Sequence, residues 1–247
     1  MQDRRSSVTW RTIAALGAIV VVALALLPAS RFAVRRVGRG QSFAQVVRRD
    51  GAETVRAVIE MKAGELNLSA GASDLLQAQF DYNVSAWKPE VTYTVRDGRG
   101  DLTVRQPAGG IPLGSPENRW DLRLADDVPL DMNVALDVGE AELKLAGLSL
   151  TRLNAEVGTG ELTVDLTGPW QRDFTARIEG GIGECTVLLP GKVGVRVEVD
   201  RGIGELDVTG LTRDGDAYVN KAYGSSPVTL QIEVGHTIGE LDLRVRD

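Results

Sequence analysis

The stretch Gly158-Thr159-Gly160-Glu161-Leu162-Thr163-Val164 returns as Gly181-Ile182-Gly183-Glu184-Cys185-Thr186-Val187, then as Gly202-Ile203-Gly204-Glu205-Leu206-Asp207-Val208, and again as Thr237-Ile238-Gly239-Glu240-Leu241-Asp242-Leu243. Looser copies stand at Gly139-Glu140-Ala141-Glu142-Leu143-Lys144-Leu145 and Lys62-Ala63-Gly64-Glu65-Leu66-Asn67-Leu68. Glycine takes the positive φ of a tight turn at low cost, so each copy is read as a turn followed by a strand. After the glutamate, apolar and polar residues alternate with the period of a half-buried strand. A second alternating run precedes each copy: Leu130 to Val138, Leu153 to Val157, Phe174 to Ile178, Val193 to Val199 and Val228 to Val234.

With Glu142, Glu161, Glu184, Glu205 and Glu240 as markers, the steps are 19, 23, 21 and 35 residues. The last step holds an insertion. A fixed period with one supersecondary unit per copy marks a solenoid, in which stacked neighbours supply the core that no single unit can bury. The sequence therefore predicts an all-β, stacked-rung β-solenoid over residues 127–247. An antiparallel sandwich would alternate too, but would not require the same turn chemistry at each step.

The bulk numbers fit this reading. The chain has 247 residues, 43% of them apolar, with 28 glycines and few aromatics, which suits many short strands around a sizeable core. A formal charge of −6 argues against a nucleic-acid partner. A single cysteine excludes an internal disulfide, so packing alone must hold the fold.

Upstream of the repeats the chain divides further. Residues 1–11 are a basic tail, and residues 12–29 enclose an uncharged run, Ile13 to Leu27, suited to a short membrane helix or the apolar core of a signal peptide. No clean small-x-small cleavage site follows, so a retained single anchor in the lipid bilayer is the favoured reading. Residues 30–50 are a basic linker with no strand alternation, and their arginines taken literally place the folded part in the cytoplasm. From residue 51 to 126, runs such as Val55-Ala57-Ile59, Leu76-Ala78-Phe80 and Trp120-Leu122-Leu124 predict an N-terminal β-layer that closes one end of the stack.

Glu65, Trp87-Lys88-Pro89, Asp121-Leu122-Arg123-Leu124 and the recurring Gly-x-Gly-Glu together resemble the bacterial toast-rack proteins. That family joins an N-terminal toast-rack domain to a C-terminal β-solenoid related to the soluble part of LiaF-type envelope-stress proteins. The resemblance spans about residues 50–247 and implies an extracytoplasmic, non-enzymatic scaffold with an envelope protein or ligand as partner. The LiaF-type proteins usually carry several membrane helices, where this chain has at most one. The family offers no catalytic motif, and no catalytic, cofactor or metal residue is assigned.

Several residues still invite chemistry. A column of Glu142, Glu161, Glu184, Glu205 and Glu240 would repel itself and call for solvent separation or a bound cation such as Ca²⁺; its plainer meaning is an outward residue beside each glycine turn. Asp126-Asp127 lacks the spacing of a Ca²⁺ loop. Cys185 is expected to face inward as a small hydrophobe, and His236 in Gly235-His236-Thr237 to lie in solvent. Arg99-Gly100-Asp101 is read as a hairpin turn, Trp120 as core and Trp170 as a surface residue. A carbohydrate- or peptide-binding module would lean on Trp87 or Trp170; a β-solenoid polysaccharide-active enzyme would need paired carboxylates in a groove.

Overall fold

The computed structural model describes residues 34–246; the basic tail 1–11 and the apolar segment 12–29 lie outside the described residues. Apart from one 3-10 turn at Ser85–Trp87, the described chain is strand and loop. No helix in it is long and apolar enough to cross a membrane.

The repeats are not hairpins. Each is one long strand bent at the glycine just before the glutamate: β3 (Thr54–Ala70), β9 (Leu130–Lys144), β10 (Leu150–Asp165), β11 (Phe174–Pro190), β12 (Gly194–Thr209) and β15 (Thr229–Arg246). The expected reversal is a corner instead. The glycine sits at a φ between 133° and 146° in all six, which turns the strand without breaking its ladder. The corner also shifts which residues face inward. In β9, Leu130, Met132, Val134 and Leu136 are buried before it and Ala141 and Leu143 after it. The two legs thus enclose one core, and each fully buried leucine contributes about 1.5–3 kcal/mol.

These strands pair in parallel with the glycines in line. Gly64 faces Gly139, which faces Gly160; Gly183, Gly239 and Gly204 follow. The spatial order is therefore β3-β9-β10-β11-β15-β12, and the last two copies are exchanged relative to the sequence. The insertion explains how. After β12 the chain forms the hairpin of β13 (Thr212–Asp214) and β14 (Ala217–Val219), which pairs with the first leg of β12, then returns to lay β15 inside it. Large residues of β15, Leu230, Ile232, Leu241 and Leu243, are fully buried there, whereas Leu206 and Val208 of β12 are only half-buried.

At the other end the two legs of β3 part company. The first pairs with β6 (Arg99–Arg105), itself paired with β5 (Glu90–Arg96). The second pairs with β8 (Asn118–Leu124), followed by β4 (Leu76–Tyr82) and β2 (Gln41–Val47). The stretch 30–50 is thus not all linker: β1 (Val34–Arg36) pairs with β7 (Ile111–Leu113), and β2 forms a sheet edge. Phe43 and Val47 of β2 turn inward alongside Gln45, while Ser42, Ala44 and the exposed Val46 face out, and that mixing of polar and apolar residues on both faces conceals the strand in the sequence. Phe43 packs against Phe80, which meets Trp120 edge-on at 5.5 Å.

Candidate functional site

The corner is where the repeats put their shared chemistry. A Cβ on Gly139 would overlap the carbonyl oxygen of Gly64, one on Gly160 that of Gly139, and so on through Gly183, Gly239 and Gly204. Close backbone approach therefore demands glycine at every rung. The Cβ positions all point toward the β3 end, so the stack has a direction. At its start the neighbour of Gly64 is Asn118, whose carbonyl lies in the same place.

Two columns flank the glycines. On one side run Ala63, Val138, Thr159, Ile182, Ile238 and Ile203, of which Val138, Ile182, Ile203 and Ile238 are exposed, Ile203 at 76%. On the other run Glu65, Glu140, Glu161, Glu184, Glu240 and Glu205. Glu140 belongs to this ladder, and Glu142 does not: it faces Asn67 and Thr163, two positions along the second leg. The glycine, not the count of glutamates, fixes the register. Parallel strands lie about 4.8 Å apart, so the carboxylates repel their neighbours. Burial, then the charges of Glu140 and Glu184, push the Glu161 carboxyl above the ordinary glutamate range. At the β3 end Arg119 of β8 answers Glu65 at 3.4 Å and Asp121 at 3.2 Å.

Among the described residues no three metal-ligating side chains converge, and Asp126-Asp127 lies in a loop away from the ladder, with Asp127 paired to Arg49 at 2.9 Å. Cys185 faces the core as expected; burial, helped by Glu179, pushes its thiol up to about 12, so it offers no thiolate at neutral pH. His236 is buried rather than solvated, because β15 lies between β11 and β12, where His236 faces Gly180 and Arg201. Gly180 makes room for its ring, with Cys185 close by, and neither ring nitrogen finds a hydrogen-bond partner.

The remaining candidates also move. Trp170 is buried, not at the surface: its indole N–H donates to the Leu166 carbonyl at 2.7 Å and its ring packs on Phe174. Trp87 and Trp120 are buried as well, so none of these three offers the exposed ring face a sugar site would use. Arg99-Gly100-Asp101 begins strand β6; the hairpin turn is Asp97-Gly98, both at positive φ. A shallow hollow of about 610 Å³ on the second-leg face mixes Arg119, Asp121, Arg123, Glu142 and Lys144, with Lys144 bound to Glu142 at 2.8 Å. The isoleucine column escaped notice in the sequence, although its signal stood there in the residue before each corner glycine.

The fold is a stack of bent strands whose distinctive surface is a corner, not a cleft. The N-terminal domain of toast_rack, DUF2154, matches residues 36–188, well over half of the chain, and the protein belongs to that family. The matched span runs across residues 126 and 127. A candidate cell adhesion protein from Clostridium sporogenes is 28% identical, with a TM-score of 0.80 over 84% of this chain and 100% of its own. Candidate adhesins from Bacteroides fragilis and Parabacteroides merdae are distant. They show 10% and 11% identity and TM-scores of 0.33 and 0.26, over 84% of this chain in each case and 99% and 98% of theirs. No curated protein matches the sequence.

Proposed function

We propose that the protein is a non-enzymatic interaction module of the bacterial cell envelope, tethered to the membrane by residues 12–29 and adhesive through its corner. The observation that carries this reading is the pairing of an exposed isoleucine column with a glutamate ladder on one rigid ridge. Ile182, Ile238 and Ile203 are adjacent, with Val138 one rung beyond Thr159; exposed apolar surface rimmed by charge is the mark of a docking surface, and a stacked backbone presents it with little conformational entropy left to lose. Toast-rack membership and the likeness to the Clostridium sporogenes protein, whose name refers to cell adhesion, support it. Envelope-stress sensing would use the same ridge, with occupancy as the signal.

The test compares the full-length protein with a variant carrying serine at Val138, Ile182, Ile203 and Ile238. Each is coated on a surface and challenged with isolated bacterial envelopes, and expressing cells are fractionated. The expected results are recovery of the chain with membranes and a loss of about tenfold or more in envelope retention for the variant, in line with hot-spot residues. Retention indifferent to the four serines overturns the adhesive ridge, and recovery of the chain in the soluble fraction overturns the tether.

A further inference from the structure

The two ends of the stack are finished differently, and the difference leaves one backbone edge unused. β12 pairs with β15 along its whole length on one side. On its other side only Arg196, Val197 and Glu198 are covered, by β14. From Val199 to Thr209 the outer edge has no strand beside it among the described residues. Between Ile203 and Thr209 it carries neither proline nor lysine, and the charges it shows are both acidic, Glu205 and Asp207. Leu206 and Val208 are half-buried because only β15 covers them, while Glu205, Asp207 and Thr209 are exposed.

The same ladder at the opposite end shows what fills such an edge. β8 lies parallel to β3 and sets Arg119 against Glu65, Trp120 against Leu66, Leu122 against Leu68 and Arg123 against Ser69. It is an alternation of charged and apolar residues, in which the acidic Asp121 stands against Asn67 and accepts from its amide; where Asn67 has its counterpart in Asp207, a basic residue is the complement. Within the last rungs, Asp242 of β15 is already held by Arg244, but Glu205 and Asp207 have no ion pair among the described side chains. A strand added at β12 would thus meet on its outer face the carboxylate of Glu205 and that of Asp207, which shares the field of Arg244 with Asp242, and two half-covered apolar residues on its inner face.

The direction of the stack adds a further requirement. Each corner glycine directs its missing Cβ at the glycine before it, Gly204 at the carbonyl of Gly239. A residue laid beside Gly204 in the same geometry would direct its own Cβ at the carbonyl of Gly204. It must be glycine. At the β3 end no such limit applies, and Asn118 occupies the place.

We propose that the edge from Ile203 to Thr209 takes up an extended segment of a partner protein in parallel register, with glycine opposite Gly204, basic residues opposite Glu205 and Asp207, and apolar residues opposite Leu206 and Val208. This deepens the interaction-module reading and rests on it. Strand addition of this kind draws affinity from main-chain hydrogen bonds and specificity from alternate side chains. A second copy of the same chain is disfavoured, since two β12 edges paired antiparallel about Leu206 would set Glu205 against Asp207.

The experiment uses full-length protein and the labelled peptide Ile-Gly-Arg-Leu-Arg-Val-Arg, followed by fluorescence anisotropy and by hydrogen exchange of the β12 amides. The expected result is saturable binding that protects the amides of residues 203–209. Alanine for the peptide glycine should weaken binding by about tenfold or more, the range that left-handed backbone strain implies. Glu205→Lys with Asp207→Lys, both at exposed positions, should reverse the preference toward a peptide with glutamate in place of arginine. Binding that tolerates alanine, ignores the charge reversal or protects another strand overturns the proposal, as does concentration-dependent dimerisation through β12 without peptide uptake. If the peptide fails but ridge-dependent envelope retention persists, the edge assignment falls and the interaction module stands. Peptide uptake without envelope retention does the opposite.

Discussion

The two ends of the stack teach more than its repeats do. At the β3 end both legs are covered, by β6 and β8, and the gap between those strands is plugged by side chains. Gln106 Oε1 accepts from the backbone N–H groups of Lys62 and Ala63 at 2.8 and 3.1 Å, and from Asn118 Nδ2 at 3.0 Å. Asn118 Nδ2 also donates to the Ala63 carbonyl at 2.7 Å, while its Oδ1 accepts from the Trp120 indole at 2.9 Å. Two amides thus replace a missing piece of strand at the corner. At the β12 end one amide, Asn220, plugs only the start of the first leg: it donates to the carbonyls of Pro190 and Val193 and accepts from Val195 N–H and Tyr223 N–H. The corner and second leg there stay open. One end is finished as a boundary; the other is finished only halfway.

That contrast can be broken most severely in the middle. Gly160→Ala places a Cβ against the Gly139 carbonyl at a φ of 133°. The expected cost is above about 4 kcal/mol, the range of diagnostic core lesions, read as a collapse of the urea midpoint. Gly204→Ala makes the same clash with Gly239 but in a rung free to move away on one side, so a loss on the order of 2 kcal/mol is expected. Equal losses at the two sites would mean that the β12 end is held as firmly as the middle.

Next come the plugs. Asn118→Ala should cost roughly 2–3 kcal/mol, because it strands the Trp120 indole and the Ala63 carbonyl in a buried site. Asn220→Ala should cost a similar amount, yet its effect on hydrogen exchange should stay near β14 and the first leg of β12. A loss of protection spreading from Asn220 through β11 would show that the half-finished end governs the whole stack.

The smallest effect concerns the ladder. Burial and the neighbouring carboxylates raise the Glu161 pKa, so its contribution to stability is full below the ordinary glutamate value and is lost as pH rises through the raised one. Glu161→Gln should therefore gain a few tenths of a kcal/mol at neutral pH, about the scale of a facing like-charge pair, and flatten that part of the pH profile. A variant less stable than the parent at pH 7 would mean that the carboxylate is favourably bound in the ladder.

Much of this was legible in the residues. Apolar alternation and the glycine spacing give the repeating β-rungs, the inward Cys185 and the core role of Trp120, whereas a glycine at positive φ serves a reversal and a corner alike, so the bend of one continuous strand was not legible. Two things were hidden by the repeats themselves. Glu140 and Glu142 are both exposed and two apart, so only backbone pairing shows which one joins the ladder. The copies ending in Glu205 and Glu240 are nearly identical, so nothing local says that β15 enters between β11 and β12; that placement is what buries His236. β2 and Trp170 were missed for a different reason. An edge strand with Gln45 on its inner face and Val46 on its outer one lacks alternation, and a tryptophan beside Gly168-Pro169 folds back on Phe174 through a contact no pattern encodes.

The most direct measurement of the difference between the ends is native-state hydrogen exchange on the full-length protein, read amide by amide along β3 and β12. The second leg of β3, from Glu65 to Ala70, is expected to be protected throughout, and alternate amides from Ile203 to Thr209 to exchange as an uncovered edge. Uniform protection across β12 would contradict it, showing that the edge is already occupied and that the stack has two closed ends.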